Sequence, residues 1–184
     1  MHRLFVAIRP PAEIRGRLLD LMEGLNGASW QDEDQLHITL RFIGEVERPV
    51  AEDIAAELAR IRASAFQLAL DGIGSFGRGG RPAILWAGLT PHAPLKALHD
   101  RINQAIVRAG VEADHRAYRP HITLARLGRS AAPPSAFVAQ ASALASEPFA
   151  VDAFGLYESE LTPAGAIHTL VERYQLTAAA NSSA

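Results

Sequence analysis

The sequence of 184 residues contains no cysteine, which excludes disulfide staples, thiolate nucleophiles and cysteine-ligated zinc and leaves nothing that demands an oxidising compartment. Lysine is almost as scarce: Lys96 is the only one among 18 basic residues, so any chemistry built on a lysine has a single candidate. Long apolar runs are missing as well. The opening run Leu4-Phe5-Val6-Ala7-Ile8 is ended by Arg9-Pro10-Pro11, too early for a signal peptide, and no later stretch approaches a membrane span. Excess positive charge is also lacking. A net charge of −2 argues against sequence-blind binding to duplex DNA, where neutralising many phosphates supplies most of the affinity, but it leaves a local phosphate site open. These absences lead us to expect a cytoplasmic chain with no membrane partner.

With 48% apolar residues the chain can bury a sizeable core without staples. Leu4 to Arg9 reads as a strand, and Ala12 to Leu25 as a helix with Ile14, Leu18, Leu21, Met22 and Leu25 inward. Trp30 to Gly44 contains a strand, and Pro49 opens a second helix carrying Val50, Ile54, Leu58 and Ile61. Phe66 to Ile73 and Ala83 to Leu89 read as strands separated by a flexible glycine-rich loop. A third helix spans Pro94 to Ala109, a polar loop Val111 to Tyr118, a strand Pro120 to Leu127 and a weaker helix Ser135 to Ala145. Phe149 to Leu161 and Ile167 to Leu176 form a final strand pair joined at Thr162-Pro163-Ala164-Gly165. The expected fold is α+β and bilobal, a single domain over 1–177 with a disordered tail over 178–184. Its two pseudo-twofold lobes, each of roughly ninety residues, would line a central groove with antiparallel sheets and carry helices outside.

One tetrapeptide occurs twice. His-Ile-Thr-Leu stands at His37 to Leu40 and again at His121 to Leu124, although the chain has only seven histidines and six threonines. In both copies apolar residues alternate with His and Thr, the two-residue period of a strand with one core face and one chemical face. An imidazole titrates near neutral pH, so two aimed at one phosphorus can divide the work. The neutral ring takes a proton from the nucleophile and the cationic ring protonates the leaving oxygen. Thr39 and Thr123 share the histidine faces and can donate hydrogen bonds to non-bridging phosphate oxygens. Strict alternation also puts Arg41 on the His37 face, where phosphate contact and a solvated ion pair are equally open, puts Phe42 in the core, and turns Arg126 away from His121 unless a bulge intervenes.

Other readings of the same residues stand beside this one. His37, His115, His121 and His168 could converge on zinc, although no helical histidine pair or histidine-carboxylate cluster is present. His2, His92 and His99 read as surface residues. Gly72-x-Gly74-x-x-Gly77 satisfies a dinucleotide fingerprint, but a strand follows where that motif needs a helix. Arg78 and Arg81 could touch a phosphate backbone and are more simply solvated. Phe5, Phe42 and Phe76 are candidates for stacking on a base, whereas packing explains Trp30 and Trp86.

Trp30, the run Leu36 to Val46, the run Arg81 to Gly88, the run Arg119 to Arg126 and the segment Leu156 to Leu161 together resemble the RNA 2′,3′-cyclic 3′-phosphodiesterases of the two-histidine superfamily, formerly called 2′-5′ RNA ligases. The resemblance implies a water-filled groove between two lobes and hydrolysis of the cyclic phosphate to a 2′-phosphate, with no metal and no cofactor. It also implies His37 as general acid toward the 3′ oxygen, His121 as general base for water, and phosphate binding by Thr39, Thr123 and Arg126, to which strand geometry adds Arg41. His168 departs from the pattern, since relatives often carry tyrosine there.

The expected substrates are RNA ends or oligonucleotides with a 2′,3′-cyclic phosphate, met by a monomer. ATP-dependent ligation is disfavoured, because Lys96 sits at a helix start in Pro94-Leu95-Lys96-Ala97-Leu98 without a nucleotide-accepting context. ATP-independent 2′-5′ joining is allowed by microscopic reversibility. The alternatives are a non-catalytic RNA-end or nucleotide-binding module, or a phosphodiesterase acting on small cyclic nucleotides.

Overall fold

The computed structural model describes residues 1–163 and 165–178, with Arg78 described by its backbone alone. The expected tail from residue 179 onward, Ala164 of the final turn and the Arg78 side chain lie outside the described residues. The chain is α+β. Its strands are β1 (His2–Ile8), β2 (Ala28–Trp30), β3 (Ile38–Val46), β4 (Phe66–Arg78), β5 (Arg81–Thr90), β6 (Ile122–Leu127), β7 (Phe149–Val151), β8 (Ala153–Thr162) and β9 (Gly165–Gln175). The helices are α1 (Ala12–Leu21), α2 (Arg48–Ala59), α3 (His92–Arg108) and α4 (Ser135–Ala141). Among the described residues no helix is long and apolar enough to cross a membrane.

The strands are ordered β7-β4-β5-β6-β3-β1-β8-β9, with β2 also paired to β6, and every pairing between them is antiparallel. Along this order two runs of four strands meet at β3 and β6, with β2 added beside β6, and a single aligned pair, Ile38 with Ile122, joins them. The joint therefore falls inside the repeated motif. The halves are not the first and second ninety residues, as the element order suggests. The β4–β5 hairpin lies beside β6, and the β8–β9 hairpin returns to β1, so each half of the sheet is built from both ends of the chain.

Burial explains the central strands. Leu4, Phe5, Val6, Ala7 and Ile8 are all buried because β1 lies between β3 and β8, covered on both faces. Helix α3 turns Leu95, Leu98, Ile102, Ala105 and Ile106 inward and packs against α2 and β3. His99 is buried along the same stripe, 7% exposed, and so is not the surface residue expected. It lies one turn from Leu95 and three residues from Ile102, so helical geometry carries it inward with them.

The glycine-rich stretch is a second correction. Instead of a flexible loop, β4 and β5 run to a tight turn at Gly79-Gly80, whose φ values of 61° and 78° suit the two-residue turns that match strand twist. Gly74 pairs with Trp86, and any methyl group on Gly74 would overlap the indole. Close packing, rather than freedom, accounts for that glycine.

Candidate active site

Leu36, Ile38, Ile122 and Leu124 are all buried with exposures of 0%, which fixes the intervening residues on the opposite face. The Ile38–Ile122 pairing is antiparallel, so His37 falls across from Thr123 and Thr39 across from His121. Each histidine immediately precedes its strand. His37, Thr39 and Thr123 line a groove of about 450 Å³ together with Arg3, Phe5, Trp30, Phe42, Arg126 and His168. His121 stands beside it, edge-on to Phe76 with ring centroids 4.9 Å apart. A larger cavity of about 610 Å³ between the end of α1 and α4 has Glu23 as its one ionisable lining residue, so the chemistry belongs to the smaller groove.

The His121 imidazole is oriented by the backbone two residues earlier. His121 Nδ1 lies 2.6 Å from the Arg119 carbonyl, which can only accept, so the proton is on Nδ1 and the Nε2 lone pair is free. The Gln35 backbone lies on the accepting side of His37, where it favours a proton on the ring. Burial, then the neighbouring His168 and His121, lower the pKa of His37 to about 4 against the pull of Gln35. Burial also lowers His121, opposed by the Arg119 carbonyl. Without an anion in the groove, both rings are held neutral near pH 7.

Strand irregularities decide the arginines. Along β6, Leu85 pairs with Ala125 but Trp86 pairs with Thr123, so β6 carries an extra residue at Leu124. Leu124 and Ala125 are consequently both buried, and Arg126 returns to the face of Thr123, exposed and lining the groove. Along β3, Val6 pairs with Arg41 but Ala7 pairs with Thr39, which is the same bulge at the same step of the motif. Here the expectation is reversed. Arg41 turns inward, 6% exposed, and binds Asp114 at 2.9 Å, so it does not face the groove. Phe42, expected in the core, is 42% exposed and lines the groove, beneath the Arg3 guanidinium at 5.2 Å.

The wall beside His37 is aromatic. Phe5 lies 5.0 Å from His37, 4.8 Å from His168 and 5.3 Å from Tyr157 between centroids, and His168 stands edge-on to His37 at 5.2 Å. Burial lowers the pKa of His168, opposed by Asp32, and its Nδ1 has no partner among the described residues. His115 is exposed, and no group of three or more His, Cys, Asp or Glu among the described residues is arranged to hold a metal ion. Arg81 is exposed beside the hairpin turn. Alternation along β3 and β6 did not reveal Arg3, Ser29, Asp32 and Gln35, which reach the groove from β1, β2 and the β2–β3 connection. For Asp32 and Gln35 a signal existed, the Asp-x-x-Gln spacing of the reciprocal cap that fixes the turn at Glu33–Gln35.

Over residues 10–163 the sequence matches the 2′-5′ RNA ligase superfamily. The chain belongs to that superfamily. A relative from Aeropyrum pernix, named RNA 2′,3′-cyclic phosphodiesterase, is 39% identical over 52% of this chain and 55% of its own length. The chain thus spans about half of that relative, and 46% of the similarly named protein from Geobacillus stearothermophilus. The Escherichia coli K12 protein of the same name is 31% identical over 96% of this chain and 97% of its own. The crystal structure of E. coli LigT complexed with 3′-AMP superposes with a TM-score of 0.76 at 30% identity, covering 96% of this chain and 98% of LigT. The superfamily member thus shares the fold of a protein solved with 3′-AMP.

Proposed function

We propose that the chain hydrolyses RNA terminal 2′,3′-cyclic phosphates to 2′-phosphates. The observation that carries this reading is the pairing of Ile38 with Ile122, which brings the two His-x-Thr segments side by side, with His37, Thr39 and Thr123 on one groove. Full-length relatives named RNA 2′,3′-cyclic phosphodiesterase support it. With a cyclic phosphate between the motifs, Thr39 and Thr123 donate to the non-bridging oxygens and Arg126 adds a charge-assisted bond. His121 takes a proton from water through Nε2 as the water oxygen attacks phosphorus. The P–O3′ bond breaks, and His37 delivers a proton to the departing O3′. The phosphate anion raises the proton affinity of His37 as it binds, so the buried ring acquires its acidic proton with the substrate. Replacing water by an RNA 5′-hydroxyl gives 2′-5′ joining through the same groups, without ATP. We propose further that the chain acts on RNA ends as a monomer in the cytoplasm.

The test is incubation of the purified chain with a 2′,3′-cyclic-phosphate oligonucleotide in the presence of chelator. A 2′-monoester product is the expected outcome. Binding without turnover would instead favour a nucleotide-binding module, and a 3′-monoester would reverse the bond assignment. Turnover of cyclic mononucleotides in preference to oligonucleotides would move the substrate to small cyclic nucleotides.

A further inference from the structure

The two halves of the sheet share one aligned residue pair and a common apolar core, and directed polar contacts behind the groove join them as well. The bulge in β3 turns Arg41 inward, where Nη1 meets Asp114 at 2.9 Å and Nη2 donates to the Glu112 carbonyl at 2.5 Å. Tyr118 donates its hydroxyl to the Thr39 carbonyl at 3.1 Å. His99, from α3, donates Nδ1–H to the Leu40 carbonyl at 2.6 Å and stacks on Tyr118 with centroids 4.2 Å apart and planes 4° from parallel. The Asp114 backbone N–H donates to Asn103 of α3, and Arg116 grips the Asp114 carboxylate at 2.8 Å. Residues 112–118 are thereby tied to the first motif and to α3, and they lead directly into Arg119, whose carbonyl orients His121.

We propose that Arg41, Asp114, Tyr118 and His99 form a clamp that sets the position of His121 relative to His37. They are positioning residues. The inference rests on the two-histidine reading above and gives Arg41 a role different from phosphate binding. The carbonyls used are those of Thr39 and Leu40 at the bulge, so the device works at the point where the first motif departs from regular pairing. A misplacement of about 1 Å between reacting groups can cost on the order of a hundredfold in rate, which gives such a clamp functional weight.

The test uses the full chain with Tyr118→Phe, which keeps the stacked ring and removes only the hydroxyl, and with Asp114→Asn. Expected is a fall in kcat of roughly tenfold with KM within about twofold. The imidazole NMR titrations of His37 and His121 should also shift, as their mutual influence changes with separation. Arg41→Lys should retain more activity than Arg41→Met. Unchanged kcat together with superimposable histidine titrations in Tyr118→Phe and Asp114→Asn would overturn the clamp. If the parent chain lacks hydrolysis, the functional reading fails while the titrations still decide the clamp. If Arg41→Met does not fold, Tyr118→Phe remains decisive.

Discussion

The two copies of the motif share a backbone and differ in what they do with it. Both strands insert an extra residue after the threonine, burying the next side chain and turning the following one into the groove. In the first copy the buried residue is Arg41, ion-paired to Asp114, and the groove residue is Phe42. In the second the buried residue is Ala125 and the groove residue is Arg126. One half therefore spends its arginine on holding the halves together and presents an aromatic ring, while the other keeps a small residue inside and presents charge. Duplicated geometry does not imply duplicated use.

The largest effect expected would test what the halves have in common. His37→Ala and His121→Ala should each lower kcat/KM by roughly a hundredfold or more, measured on a 2′,3′-cyclic oligonucleotide. Full turnover in both would remove the shared proton chemistry. Next come the two arginines, which should behave oppositely. Arg41→Met leaves Asp114 without its buried partner and should destabilise the fold by about 3 kcal/mol in denaturant unfolding. Arg126→Met should leave stability near that of the parent and weaken binding of a 3′-nucleotide by roughly tenfold.

A pH experiment separates the histidines by burial. Between pH 6.5 and about 4 the unfolded chain binds a proton at residue 37 that the folded chain refuses. Stability should therefore fall as pH drops through that window, by up to about 3 kcal/mol. His37→Gln should flatten this part of the stability–pH curve, and His121→Gln should flatten it less. The smallest effect belongs to Phe42→Ala, where loss of the Arg3 contact on an exposed ring should cost under about 1 kcal/mol.

The parts legible in the sequence follow from periodicity. Leu36, Ile38, Ile122 and Leu124 announced the core face, and the apolar stripe of α3 emerged as expected. The bulges were less visible for a physical reason. Alternation is a rule about regular pairing, and one inserted residue inverts every assignment after it. In the second copy the adjacent apolar pair Leu124-Ala125 hinted at the insertion. In the first, Leu40-Arg41 concealed it, because a buried arginine reads as polar until its partner Asp114 is seen, 73 positions away in the chain. The exchange of hairpins was hidden too, since it depends on which strand edges meet after α2 and α4, and local patterning does not encode that.

That exchange has a consequence for how the groove comes into being. The wall around His37 includes Tyr157 and His168 from β8 and β9, laid down after the second motif at His121 has been made. During synthesis from the N-terminus, the first motif therefore waits unfinished through more than a hundred residues, and its pocket closes only when the last hairpin docks on β1. Contacts of such long sequence separation are slow to form. The groove is finished from the end of the chain.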